Sequence, residues 1–109
     1  MKKAFDLRTK TVTGTYTVKV GSVSDNFIFD RVINITNPAA NFTLTVPDGR
    51  YAGQQLSINL TANTGSKTVT IADTTGGLES TMATTGMYQL SEWTNSTTGW
   101  VVLKESVTS

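Results

Sequence analysis

The sequence predicts an all-β protein, an antiparallel β-sandwich of jelly-roll type with about seven to eight short strands and an extended N-terminal arm. Three observations lead there. Threonine is the commonest residue, with 21 copies in 109 residues, and its β-branched side chain favours the pleated, half-exposed surface of a strand. Apolar and polar residues alternate with period two in segment after segment, and Gly, Pro, Asn and Asp punctuate the segments at sandwich or barrel spacing. No segment sustains a helical period, a heptad pattern or a strong internal repeat. Residues 1–10 are assigned to the arm and residues 11–109 to a single β domain, because a chain of this length holds one modest core.

The arm carries Lys2, Lys3, Arg8 and Lys10 and precedes the first clear alternation. From Thr11 to Val20, Val12, Tyr16, Val18 and Val20 share one register and the threonines with Lys19 share the other, the pattern of a strand with one wet face. Residues 26–36 place Phe27, Phe29, Ile33 and Ile35 on one face and Ile28 and Val32 on the other, so this strand is expected to be covered on both sides. Asn37-Pro38 signals a turn. Phe42, Leu44 and Val46 then alternate with polar residues up to Pro47-Asp48-Gly49, a turn in which the glycine is expected to supply a positive φ. Leu56, Ile58 and Leu60 form the next strand, and across Asn63-Thr64-Gly65 it is expected to make a hairpin with the segment holding Val69 and Ile71. Residues 73–86 read as a long loop with at most one short strand. The last pair, residues 87–93 and 99–105, has a connection of hairpin length, with Tyr88 and Leu90 expected to face inward. In its closing strand Trp100 and Val102 occupy one face and Val101 and Leu103 the other, so neither face is polar. Such a strand is either central or meets another chain.

Composition narrows the chemistry. With no His and no Cys, the commonest general base, the thiol nucleophile, the disulfide framework and the thiolate zinc site are all missing, so neither an enzyme nor a bound cofactor is expected. The carboxylates sit mostly at turns and strand ends and suggest no facing pair, the Asp and Asn spacing lacks a calcium-loop repeat, and no Gly-x-Ser-x-Gly or Ser-x-x-Lys motif occurs. A formal net charge of +1 argues against a nucleic-acid partner. The N-terminal lysines are not followed by an apolar run and no stretch is long and apolar enough to span a bilayer, so a protein made and kept soluble in a cytoplasm, with no membrane partner, is expected. The Asn-x-Ser/Thr triplets at Asn34, Asn41, Asn59 and Asn95 are chance products of a threonine-rich chain.

Aromatic residues are the remaining candidates. Tyr51, Tyr88, Trp93 and Trp100 have three readings: hairpin and core packing, subunit contact, or a stacking platform for sugar rings. Trp93 and Trp100 flank the last turn and suit a cross-strand pair. The candidate subunit or lattice interface comprises Lys2, Lys3, Phe5 and Arg8 of the arm with Trp93, Trp100, Val101 and Leu103 of the final hairpin.

The succession Phe42-Thr43-Leu44-Thr45-Val46-Pro47-Asp48-Gly49, then Tyr51-Ala52-Gly53-Gln54-Gln55-Leu56-Ser57-Ile58, then Lys67-Thr68-Val69-Thr70-Ile71, with Trp93 and the closing Gly99-Trp100, resembles small bacteriophage virion structural proteins, and it covers about two thirds of the chain. These are capsid decoration or cement proteins and the distal domains of head or tail fibres. The resemblance implies a homotrimer on the outer surface of the major capsid lattice, with the major capsid protein as partner and no catalytic residues. A carbohydrate- or receptor-binding fibre domain is the alternative it implies.

Overall fold

The computed structural model describes residues 6–74, 76–78 and 81–106. Among them are nine strands: β1 (Asp6–Val12), β2 (Tyr16–Thr17), β3 (Ile28–Thr36), β4 (Phe42–Val46), β5 (Gln55–Ala62), β6 (Val69–Asp73), β7 (Thr81–Met82), β8 (Tyr88–Trp93) and β9 (Trp100–Ser106). They form a five-stranded sheet in the order β1-β3-β5-β8-β9 and a four-stranded sheet in the order β2-β4-β6-β7. The all-β class therefore holds, but the sheets are mixed. β1, β3 and β5 run parallel, as do β2, β4 and β6, and only β7, β8 and β9 join antiparallel.

The antiparallel expectation fails because alternation reports which face a residue occupies, and that is the same for either strand direction. Through its first six strands the chain crosses to the other sheet after every strand, and so returns to each sheet in the same direction. The expected hairpin between β5 and β6 is consequently absent, and these strands belong to different sheets. The turn between them is built on Asn63, whose Nδ2 donates to the carbonyls of Lys67 (2.8 Å) and Ala83 (2.6 Å) while its Oδ1 accepts from Lys67 N (2.9 Å). Successive passes stack in register. Asn59 Nδ2 donates to Asn34 Oδ1 at 3.1 Å, and the Thr64 and Thr68 amides donate to the side chains of Asn37 and Asn41, partners 25 or 27 residues apart. The path thus repeats although the sequence carries no strong repeat.

The segment 11–20 is likewise divided. Val12 ends β1, Tyr16 lies in the other sheet, and Val20 makes only an isolated bridge to Phe29. Its expected buried register is nonetheless correct, since Val12, Val18 and Val20 all enter the core. Residues 6–10, assigned to an arm, are strand residues of β1 paired with β3. Their charged side chains concealed the strand.

One hydrophobic cluster joins the sheets. Ile33, Ile35, Leu56, Ile58 and Leu60 enter it from the five-stranded sheet, and Leu44, Val46, Val69, Ile71 and Met82 from the four-stranded sheet. Burying each of the larger side chains stabilises the fold by about 1.5–3 kcal/mol before entropy is set against it. β8 faces opposite to expectation. Leu56 pairs with Ser91 and Ile58 with Gln89, and directly opposed residues share a face, so Ser91 and Gln89 point inward. Both are buried, and Ser91 Oγ donates to the Leu56 carbonyl at 3.1 Å. Tyr88 and Leu90, opposite Asn59 and Ser57, lie on the outer face.

Candidate self-association surface

The β8–β9 hairpin forms as expected, with Trp93 directly opposite Trp100. Their rings meet edge to face, centroids 5.6 Å apart and planes at 66°. Both are buried, at 5% and 1% exposure, and Trp100 Nε1 donates to the Pro47 carbonyl at 2.9 Å. This corrects their place in the candidate interface: the indoles close one end of the core and present no face for a subunit or a sugar. Gly49 belongs to the same corner. Its φ is not positive, and a Cβ there would lie 2.4 Å from Trp93 Cγ, so the glycine is required by close approach.

Beyond Trp100 the strand turns towards the surface, with Val102 still packed against the core. Val101 stands opposite Glu92 and is 36% exposed, and Leu103 sits at the bulge between the Val102–Ser91 and Lys104–Leu90 pairs, 51% exposed. With half-buried Tyr88 and Leu90 beside them, they give this side of the five-stranded sheet an apolar strip bordered by Glu92 and Lys104. The outer face of the four-stranded sheet contrasts with it, being lined by the exposed Thr17, Thr43, Thr45, Thr70 and Thr81 without a charge.

At the opposite edge, Arg8 is tied into the protein. Its Nε donates to Asp30 Oδ1 (2.5 Å) and its Nη2 to Tyr16 Oη (2.8 Å), while Tyr16 Oη donates to Asp30 Oδ2 (2.5 Å) and the Lys19 amide donates to the same oxygen (2.9 Å). Asp30 is 2% exposed, and its carboxylate is satisfied by donors from β1, β2 and the segment before β3. Burial, reinforced by the hydrogen bond to Asp30, pushes the Tyr16 hydroxyl up to about 12. The bond to Asp30 also raises the Arg8 guanidinium above its usual value. Lys10 Nζ lies 5.5 Å from the Tyr16 ring centroid. Arg8 therefore pins three strands together, which corrects its assignment to a free docking arm. Lys2, Lys3 and Phe5 lie outside the described residues.

A second exposed apolar group was not expected from the sequence. Val23 is 71% exposed and Phe27 44%, on a turn in which Asn26 and Phe27 both have positive φ, 55° and 60°. The run Ser22 to Asn26 carries the turn signal, but the alternation through Phe29, Ile33 and Ile35 places Phe27 in the following strand. Tyr51, 48% exposed, packs edge-on against Phe29 at 5.9 Å. Among the described residues no group of three or more acidic side chains is placed to hold a metal ion, and no helix is long and apolar enough to cross a membrane. No family model and no curated protein matches the chain.

Proposed function

We propose that this chain is a non-enzymatic structural protein of a bacteriophage particle, a decoration or cement protein that trimerises and binds the outer surface of the major capsid lattice. The observation that carries the reading is the pairing of exposed Val101 and Leu103 with an edge strand of the larger sheet. Such a strand in an isolated monomer invites uncontrolled pairing, whereas closed symmetric association uses it. The resemblance of the Leu44-to-Ile58 region and the closing Gly99-Trp100 to virion proteins supplies the context. In this reading the two sheets are the layers of a sandwich, the protein is made in the host cytoplasm, and it resides on the virion surface.

The test is sedimentation of the protein alone and with undecorated capsid shells. A three-chain species that co-sediments with shells supports the reading; a monomer at all concentrations that never co-sediments overturns it. Exposed Tyr51 favours a second reading, a carbohydrate- or receptor-binding fibre domain stacking a sugar on that ring. Glycan binding abolished by Tyr51→Ala would select it, and an array with no binding would reject it.

A further inference from the structure

We propose that the chain assembles head to tail through the two outer edges of its five-stranded sheet, the β9 edge of one copy pairing with the β1 edge of the next. The inference rests on the self-association proposed above and deepens it by naming the surfaces and their symmetry.

Four observations converge. The first is edge length. The four-stranded sheet ends in two-residue strands, β2 and β7, which blunts its edges. The five-stranded sheet ends in seven-residue strands on both sides, β1 and β9, and among the described residues neither has a further partner strand. The second is direction. β8 is antiparallel to both β5 and β9, and β1, β3 and β5 are parallel, so β1 and β9 point the same way. In a ring whose axis runs along the strands, β9 and the neighbour's β1 therefore meet as a parallel pair. The third is the break in each edge: the β1–β3 register shifts between Arg8 and Thr9, and the β9–β8 register shifts around Leu103. Each shift lies three residues from its edge strand's start, with the extra residue on the inner strand at Arg31 in the first case and on the edge strand at Leu103 in the second, so in a parallel seam the bulged β9 meets a continuous β1 with the two irregularities at one depth.

The fourth is charge, and it decides between symmetries. With Arg8 and Asp30 neutralising each other in their ion pair, β1 and β3 carry Lys10 and Arg31 against Asp6, leaving that side net positive. β8 and β9 carry Glu92 and Glu105 against Lys104, leaving that side net negative. A two-fold contact of β9 with β9 would set like signs together, whereas a heterologous contact joins opposite signs and closes into a ring when the rotation permits.

The experiment uses two variants of the full chain, each changing exposed positions only. Thr9→Glu/Thr11→Glu makes the β1 edge acidic, and Val101→Lys/Leu103→Lys makes the β9 edge basic. Masses are measured by sedimentation velocity and native mass spectrometry, with circular dichroism to establish that each variant is folded. The parent is expected at three chains, each variant alone at one, and an equimolar mixture at two or more, because each partner keeps one intact edge and the two altered edges carry opposite charge. If the parent is oligomeric and either folded variant keeps the parental mass, or the mixture stays at one chain, the head-to-tail seam is overturned while self-association stands. A parent that is monomeric throughout overturns both. If the lysine or glutamate pairs prevent folding, Leu103→Ser and Thr11→Ser/Lys10→Gln replace them, and a parental mass in both again refutes the seam.

Discussion

Changing Tyr16 to Phe isolates the polar cluster that ties β1 to β2 and β3. The hydroxyl donates to the buried Asp30 carboxylate and accepts from Arg8, so its loss removes two bonds with charged partners while leaving the ring in place. Hydrogen bonds to charged groups contribute about 1.5–3 kcal/mol each when buried, but Tyr16 is only half-buried and water replaces part of the loss, so about 2 kcal/mol is expected near neutrality. The alkaline limb is more diagnostic. The Tyr16 pKa rises from 10.0 to about 12 on folding, so the fold favours the neutral phenol. Its contribution is complete below pH 10, where the hydroxyl is protonated in both states, and is lost as the pH climbs towards 12. The full separation corresponds to an upper bound of about 2.7 kcal/mol, which solvent screening reduces to about 1–2 kcal/mol. Urea unfolding followed through the buried Trp93 and Trp100, repeated from pH 8 to 12, gives the comparison. The stability gap between parent and Tyr16→Phe should be constant to about pH 10 and then narrow. A variant that loses stability above pH 10 as steeply as the parent would refute the reasoning, because the phenol of Tyr16 is the one ionisable group by which the two proteins differ.

Gly49→Ala should cost about 1–3 kcal/mol, since the new methyl would lie 2.4 Å from Trp93 Cγ and the indole must shift; a thermal melt unchanged within error would contradict the close approach. Ile58→Ala, at a fully buried position, should lower stability by about 2–5 kcal/mol in urea titrations. Leu103→Ser should change monomer stability by no more than about 0.5 kcal/mol, because the side chain is already half in water, and a large loss would mean that Leu103 belongs to the core.

How legible the fold was depends on the element. β4 and β5 were readable because each alternates cleanly between apolar and polar residues and ends at a turn. β1 was missed because its Asp, Arg and Lys residues look solvated until Asp30, 22 positions away from Arg8, is brought beside them. β8 was turned over because Tyr88 and Leu90 are more apolar than Gln89 and Ser91, and its partner, β5, decides which of them face inward. Of the candidate interface, Val101 and Leu103 are exposed, whereas the adjoining tryptophans are buried by the loop holding Pro47 and Gly49.

Composition and short-range periodicity alone dictate that this chain is all β, where most of its strands lie, and which aliphatic side chains leave water. Those properties follow from local sterics and from the cost of hydrating apolar surface, both written residue by residue. Strand direction, the exchange between two sheets at each early turn, and the partners of Arg8, Asp30 and Tyr51 emerge only on folding. They depend on contacts between residues far apart in the sequence, as with Arg8 and Asp30, Asn34 and Asn59 or Pro47 and Trp100, and period two is silent about them.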